Sequence, residues 1–210
     1  MSLIKREFTT DWFDRAAKPV WNKMLPRFNL KRILEIGSFE GASACYLVDM
    51  LKDGKGGEIH CVDTWTGGVE HLPGGQAPAD MSDVKRTFER NTALAIAAAG
   101  AHVELIVHVG TSASVLSGLV DSKAEYFDMI YIDGSHQAPD VLCDAVLSYL
   151  LLKKGGLLIF DDYLWSEQLQ SGVDPIRSPK IAIDAFTTIN CRKMKLLSAP
   201  LYQVFLQKLS

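Results

Sequence analysis

The chain has 210 residues, 48% of them hydrophobic and 22% charged, with a formal net charge of −3. This is the composition of a soluble globular protein with a full-sized core, and it excludes an extended disordered chain. The mild acidic balance, with no arginine-rich patch and no run of like charges, argues against nucleic acid and anionic membrane as partners.

Four cysteines, Cys45, Cys61, Cys143 and Cys191, form no CxxC pair, which speaks against zinc or redox motifs. They are expected as buried thiols in a reducing compartment. The charged N-terminus carries no apolar stretch long enough for a signal peptide, and no segment approaches the roughly 20 apolar residues of a membrane span. The expectation is one cytoplasmic domain, with a helical segment over 1–30 and a core over 31–210.

Apolar runs and helical patterns then alternate. Strands are expected at 32–38, 58–65, 103–110, 126–133 and 157–163. Helices are expected at 41–57, 81–100, 111–119, 139–156 and 178–190. The 139–156 helix is expected to stop at Lys-Lys-Gly-Gly, and the last helix to start with Ser178 as N-cap and Pro179 in its first turn. Residues 66–80 form a Gly/Pro-rich loop long enough to suggest function or mobility. Two apolar runs, 193–200 and 201–209, read as a closing antiparallel hairpin.

Strand–helix alternation implies a mostly parallel sheet with helices on both faces, and ligands at the carboxyl ends of its strands. Those ends are all polar or glycine. "EIGSFEG" (35–41) is a strand-to-helix turn in which Gly37 permits a tight bend and close ligand approach. Ser38 and Gly41 complete the turn. It lacks the middle glycine of GxGxxG, and Glu35 would repel a dinucleotide's phosphates while attracting an ammonium or sulfonium. Asp63 stands where ribose hydroxyls are gripped in such folds. Thr64 and Trp65 follow; Trp65 either covers an adenine face or packs in the core. Thr111 and Ser112 meet an adenine edge, cap a helix at Ser112, or do both.

Asp133 closes the fourth strand, and Asp161 and Asp162 close the fifth. Adjacent strands lie about 4.8 Å apart, so three carboxylates would converge and raise each other's pKa values. A hard divalent cation such as Mg²⁺ relieves that repulsion. The other reading has Asp161 capping a turn, Asp162 solvated and Asp133 orienting a cofactor. His136, in "YIDGSH", is either a general base near neutral pH or a partner for the turn. In the flanking segments, Glu70, His71, Trp165 and Arg177 are candidates for shaping an acceptor pocket.

"LEIGSFEG", "VDTW", "FDMIYIDGSH" and "LLKKGGLLIFDDY" together resemble class I S-adenosylmethionine-dependent methyltransferases. The branch they resemble contains the macrocin-type and catechol-type O-methyltransferases. The resemblance runs from about Arg32 to Phe205. It implies an α/β, Rossmann-like fold with a seven-stranded sheet, S-adenosylmethionine as cofactor, and Mg²⁺ on Asp133, Asp161 and Asp162. It also implies a small-molecule methyl acceptor; self-association is left open. The catechol-type enzymes carry a lysine where this chain has His136, a departure that leaves the base unassigned. A metal-independent methyltransferase, a nicotinamide-dependent oxidoreductase and a non-catalytic cofactor binder are the alternatives. The oxidoreductase would want GxGxxG and YxxxK, and the chain has neither.

Overall fold

A computed structural model describes residues 5–54, 56–170 and 172–210. Residues 1–4 of the expected helical segment, Lys55 of the expected 41–57 helix and Ser171 of the acceptor-pocket segment lie outside the described residues.

Seven strands form one sheet in the order β3-β2-β1-β4-β5-β7-β6. They are β1 (Arg32–Ile36), β2 (Gly57–Asp63), β3 (Val103–Val109), β4 (Phe127–Ile132), β5 (Leu152–Phe160), β6 (Met194–Leu197) and β7 (Val204–Lys208). The first five run parallel, and β7 is antiparallel to both β5 and β6. The closing hairpin is therefore present, with its second strand inserted beside β5. The helices are α1 (Trp12–Arg15), α2 (Ala17–Met24), α3 (Ala42–Asp53), α4 (Met81–Ala99), α5 (Ser112–Lys123), α6 (Ala138–Leu151) and α7 (Lys180–Ile189). Among the described residues, no helix is long and apolar enough to cross a membrane.

The sheet is covered on both faces, which explains why β4 reads as an unbroken apolar run. Its Met129 and Tyr131 face a core with Trp21, Val48 and Phe88. Its Ile130 and Ile132 face a second core with Leu116, Val141 and Phe186. Fully burying such side chains contributes about 1.5–3 kcal/mol each, so β4 is the anchor of the sheet.

Local expectations are corrected at four places. Lys153, Lys154, Gly155 and Gly156 do not stop a helix but open β5. Leu152 already pairs with Phe127, and the register then shifts before Met129 pairs with Leu157. The Lys-Lys-Gly-Gly stretch is the material of that bulge, with Lys153 paired to Asp128 beneath it. Ser178 does not cap α7: its hydroxyl donates to Pro175 O at 3.0 Å, and Pro179 occupies the cap position. The α5 cap is Thr111, which accepts from Ser114 N at 3.4 Å, so Ser112 is already helical. All four cysteines are free, but only Cys45 and Cys61 are buried; Cys143 is partly buried and Cys191 exposed.

Asp144 was not anticipated. It is fully buried on α6, and its Oδ1 has no hydrogen-bond partner. Burial pushes its pKa up to about 7, partly opposed by Ser112. A carboxylate whose folded pKa exceeds its unfolded value loses stability as pH rises between the two. Asp144→Asn is therefore expected to raise the melting temperature more at pH 8 than at pH 5, which already lies inside the window between the two pKa values. A shift of about three pKa units caps the gain at ~4 kcal/mol. Melting curves at the two pH values check it; equal effects at both would contradict the account.

Candidate active site

The strand ends form a stair. Asp133 N donates to Ile36 O at 2.8 Å, Asp161 N to Ile132 O at 3.0 Å, and Gly37 N to Val62 O at 2.9 Å. The strand order reverses between β1 and β4, and there the chain ends meet most closely. Gly37 has φ +83°, and a Cβ built on it would lie 2.0 Å from Asp133 O. Only glycine lets the β1 turn pass this close to the end of β4.

Glu35 does not stand open on the turn. It is fully buried beneath the turn, where its oxygens accept from Ser38 Oγ at 2.6 Å and Ser43 Oγ at 2.5 Å. Burial pushes its pKa up, and the two serines oppose that. The expected grip of Asp63 is also narrower. Its Oδ2 accepts from Ser38 N at 2.8 Å and Phe39 N at 3.0 Å, and its Oδ1 from Trp65 N at 2.7 Å. A carboxylate offers about four acceptor positions, so little of Asp63 is left for a ribose. Trp65 is core: it is buried, its Nε1 donates to Phe39 O at 3.0 Å, and its ring packs on Phe88. Thr64 turns its hydroxyl onto Thr66. Gly41 precedes α3, packed against Phe88.

Sequence reasoning missed an N-terminal strap over this turn. Thr9 donates to buried Glu40 through both N (2.7 Å) and Oγ1 (2.6 Å), and Trp12 lies on Phe39 with centroids 5.5 Å apart. On Phe39's other contact, His71 stacks at 5.2 Å. No local pattern encodes contacts between segments so far apart in the chain.

The second half of the site stands on β4 and β5. Asp133, His136 and Asp162 bring one ligand atom each within 4.8 Å of one another. With Asp161 they line a cleft of about 10 Å³, room for roughly one water-sized sphere. Asp161 is turned differently from the expected ligand. Its Oδ1 accepts from Asp162 N at 2.8 Å, and its Oδ2 meets Tyr131 Oη and Gln203 Nε2. His136 takes the place in the cluster that the sequence assigns to Asp161.

Tyr131 explains part of the electrostatics. Its hydroxyl contacts Oδ2 of both Asp133 and Asp161. A phenol has one proton to donate, so the two carboxylates compete for it, and the shared position favours a proton on one of them. Burial, then the neighbouring carboxylates, pushes Asp133 well above the usual carboxylate range and Asp161 up to about 6. The chain Trp21–Gln203–Asp161 carries this network back to α2, with Trp21 Nε1 donating to Gln203 Oε1 at 3.1 Å. Asp162 has φ +55°, a left-handed conformation that turns its side chain into the cleft, and Tyr202 Oη donates to it at 2.7 Å.

His136 lies between two carboxylates. Its Nε2 is 2.9 Å from Asp162 Oδ2, its Nδ1 is 3.3 Å from Glu70 Oε1, and Trp165 stacks on the ring at 4.1 Å. Burial disfavours the charged ring, but pairing with Asp162 and Glu70 outweighs it and pushes the pKa up to about 10. Arg177 makes no free cation for an acceptor, because it is paired with Glu167. A larger, shallow groove of about 570 Å³ between α4 and β3, lined by Phe88, Ile96, Leu105 and Val107, lies apart from these residues.

A family model described as a methyltransferase domain matches residues 34–163. An uncharacterized protein of Acanthamoeba polyphaga mimivirus is 26% identical over 165 residues, covering 75% of this chain and 66% of that protein, just under two thirds of its length. Among solved structures, an O-methyltransferase from Bacillus cereus in complex with SAH superposes with a TM-score of 0.61 at 16% identity, covering 98% of this chain and 84% of that one. The MycE methyltransferase from the mycinamycin biosynthetic pathway was solved with Mg, SAH and mycinamycin VI. It superposes with a TM-score of 0.56 at 16% identity, covering 97% of this chain and 51% of that one. At these identities the superpositions establish a shared fold.

Proposed function

The chain belongs to the methyltransferase-domain family, and from that premise we propose that it transfers the methyl group of S-adenosylmethionine to a hydroxyl of a small molecule. The observation that carries the reading is the convergence of Asp133, His136 and Asp162 at the carboxyl ends of β4 and β5, beside the point where the strand order reverses.

The cofactor belongs over the β1 turn, beside Gly37 and Ser38, with the half-buried edge of Asp63 and the Thr111–Ser112 end of β3 along its length. A divalent cation fits the second half, because the cleft is the size of one ion and two carboxylates converge there without a cationic partner other than His136. Asp133 and Asp162 would hold it. It would supply a Lewis acid that lowers the pKa of an acceptor hydroxyl. The carboxylate oxygen donors suit Mn²⁺ as well as Mg²⁺.

The residues then divide the work. His136 would accept the hydroxyl proton at Nε2 in its neutral form; pairing with Asp162 and Glu70 keeps that form scarce below about pH 10, so turnover is expected to rise with pH. The oxygen attacks the methyl carbon in line with the sulfur, and the carbon–sulfur electron pair returns to sulfur, leaving a neutral thioether. Trp165 and the 66–80 loop cover the strand ends and keep water from the reacting atoms. Holding the two reactants in line accounts for much of the rate gain. The acidic surroundings, with Glu70 and the three aspartates, favour a neutral or cationic acceptor over an anionic one.

A metal-independent methyltransferase is the second reading, favoured by the full engagement of Asp161 with Tyr131, Gln203 and Asp162 N. Calorimetric titration with S-adenosylmethionine, S-adenosylhomocysteine and NAD, each with Mg²⁺ and with EDTA, tests both. Binding of the sulfur cofactors and not of NAD is expected. A cation-dependent turnover with a polyhydroxylated acceptor supports the metal-assisted reaction; turnover unaffected by EDTA selects the second reading. Binding of NAD alone overturns both.

A further inference from the structure

We propose that the chain self-associates through β3: the open edge of this strand pairs antiparallel with β3 of a second copy, about a two-fold axis at Ile106, and joins the two sheets into one.

β3 is the terminal strand of the sheet and pairs with β2 on one side only. Gly110 N donates to Asp63 O at 3.0 Å. Backbone groups alternate along a strand, so the N–H groups of Glu104, Ile106 and His108 turn toward β2 as well. The N–H and C=O groups of Val103, Leu105, Val107 and Val109 therefore point away from the sheet. Among the described residues, no backbone from another segment bonds to them. Soluble proteins blunt such an edge with lysine, proline or a bulge. The strand "VELIVHV" has none of these, and its register with β2 runs unbroken from Gly57 and Val103 to Asp63 and Val109. At the opposite edge, β6 has only 4 residues and carries Lys195.

The pattern of the strand selects a second copy as the occupant. A two-fold contact must be self-complementary. An axis at Ile106 overlaps the whole strand and sets Leu105 against Val107, and Val103 against Val109, as hydrogen-bonded pairs. These are the residues with outward groups, so each free N–H meets a C=O of the other copy. The same register puts Glu104 opposite His108 at non-hydrogen-bonded positions, where Cα atoms lie about 4.5 Å apart and side chains interact most closely. His108 turns Nε2 to His60 Nδ1 at 2.9 Å and keeps Nδ1 for that carboxylate. Centring the axis on Glu104 instead would oppose two carboxylates and shorten the overlap.

The apolar surface agrees. Val107 and Val109 are 42% and 62% exposed, and with Leu105 they border the groove beneath α4. A two-fold axis perpendicular to the sheet keeps both copies of α4 on one face. Leu105, Val107 and Val109 of one chain then cover those of the other, and the two grooves meet. An extended peptide from another protein would gain nothing from the match of Glu104 with His108.

Sedimentation of the full chain over a range of concentrations, with amide exchange read residue by residue, tests the pairing. A dimer is expected, with slow exchange at Leu105 and Val107 as well as at Ile106. Val107→Pro removes an outward N–H and leaves the bonds to β2, a position where an edge strand tolerates proline. It is expected to abolish the dimer and to make Leu105 exchange fast while Ile106 stays slow. Val107→Lys is expected to do the same by placing a charge on the edge, and it carries the test if the proline variant does not fold. Glu104→Lys should weaken the dimer severalfold. Val146→Lys, on the exposed apolar side of α6, should leave it intact. A wild type that is monomeric at every concentration overturns the proposal. So does a dimer with fast exchange at Leu105 and Val107, or one that Val146→Lys dissolves and Val107→Lys does not.

Discussion

Asp162→Ala is expected to abolish the calorimetric heat of Mg²⁺ or Mn²⁺ binding and to lower methyl transfer by about 10²–10³-fold, the cost of removing one electrostatic element from a catalytic site. Cofactor affinity should survive, since Asp162 lies on the β5 side and the cofactor turn on β1. Asp161→Asn separates this geometry from a simple triad of carboxylates. Asp161 spends its oxygens on Tyr131, Gln203 and Asp162 N, so its variant should keep most of the cation affinity. Protons give an independent check. Without a cation, the Asp133–Tyr131–Asp161 group holds a proton that a cation displaces. Heats of binding should therefore depend on the ionisation enthalpy of the buffer. The sign for pH follows from Asp133, a ligand whose pKa is raised well above the usual carboxylate range by burial and by the neighbouring carboxylates: cation affinity falls as pH drops and Asp133 takes up its proton. Binding heats that are equal in all buffers and at pH 5.5 and 8 would falsify this proton inventory.

The sheet was legible because its information is local. Runs such as "FDMIYI" need apolar side chains on both faces, and glycine or aspartate at each strand end marks where the chain leaves the sheet. The convergence of Asp133 with the Asp161–Asp162 pair was legible for the same reason, once β4 and β5 were taken as neighbours; that His136 rather than Asp161 completes the cluster was not. What the sequence hid depends on partners far along the chain. Glu35 reads as a free carboxylate beside a ligand, yet Ser38 and Ser43 close over it. Tyr131 reads as one more core aromatic, because nothing in "MIYID" says that its hydroxyl surfaces between two carboxylates. The clasp of Thr9 on Glu40 has no periodic signal at all. Lys-Lys-Gly-Gly imitates a helix stop because the same residues that end helices, glycine with a flexible backbone and lysine at an exposed edge, also suit a bulge. The 66–80 loop reads as function or mobility, whereas a Cβ on its Gly68 would fall 2.4 Å from Glu70 Oε1, a steric reason that no local pattern carries.

Two glycines with nearly the same backbone conformation isolate what anchors the site. Gly37 has φ +83° and Gly74 has φ +88°, so an alanine at either one carries the left-handed penalty of about 1–2 kcal/mol. Their surroundings differ. A Cβ at Gly74 meets nothing within 4 Å, whereas one at Gly37 would strike Asp133 O at 2.0 Å and Asp133 C at 2.5 Å. Those are backbone atoms held by the Asp133 N to Ile36 O bond, so relief requires the ends of β1 and β4 to part. Gly74→Ala should lower the melting temperature by only a few degrees, at roughly 2–4 °C per kcal/mol for a chain of this size. Gly37→Ala should lower it by ~10 °C or more, in the range reserved for strain at a special backbone position combined with a core clash. It should also abolish binding of S-adenosylhomocysteine, because the same displacement moves the cofactor turn away from Asp63 and shifts Asp133 within the cation cleft. The difference between the two variants cancels the conformational penalty and leaves the strand contact alone. If Gly37→Ala melts no lower than Gly74→Ala and binds the cofactor normally, the two halves of the site do not meet at the β1–β4 junction, and the placement of cofactor beside cation fails with it.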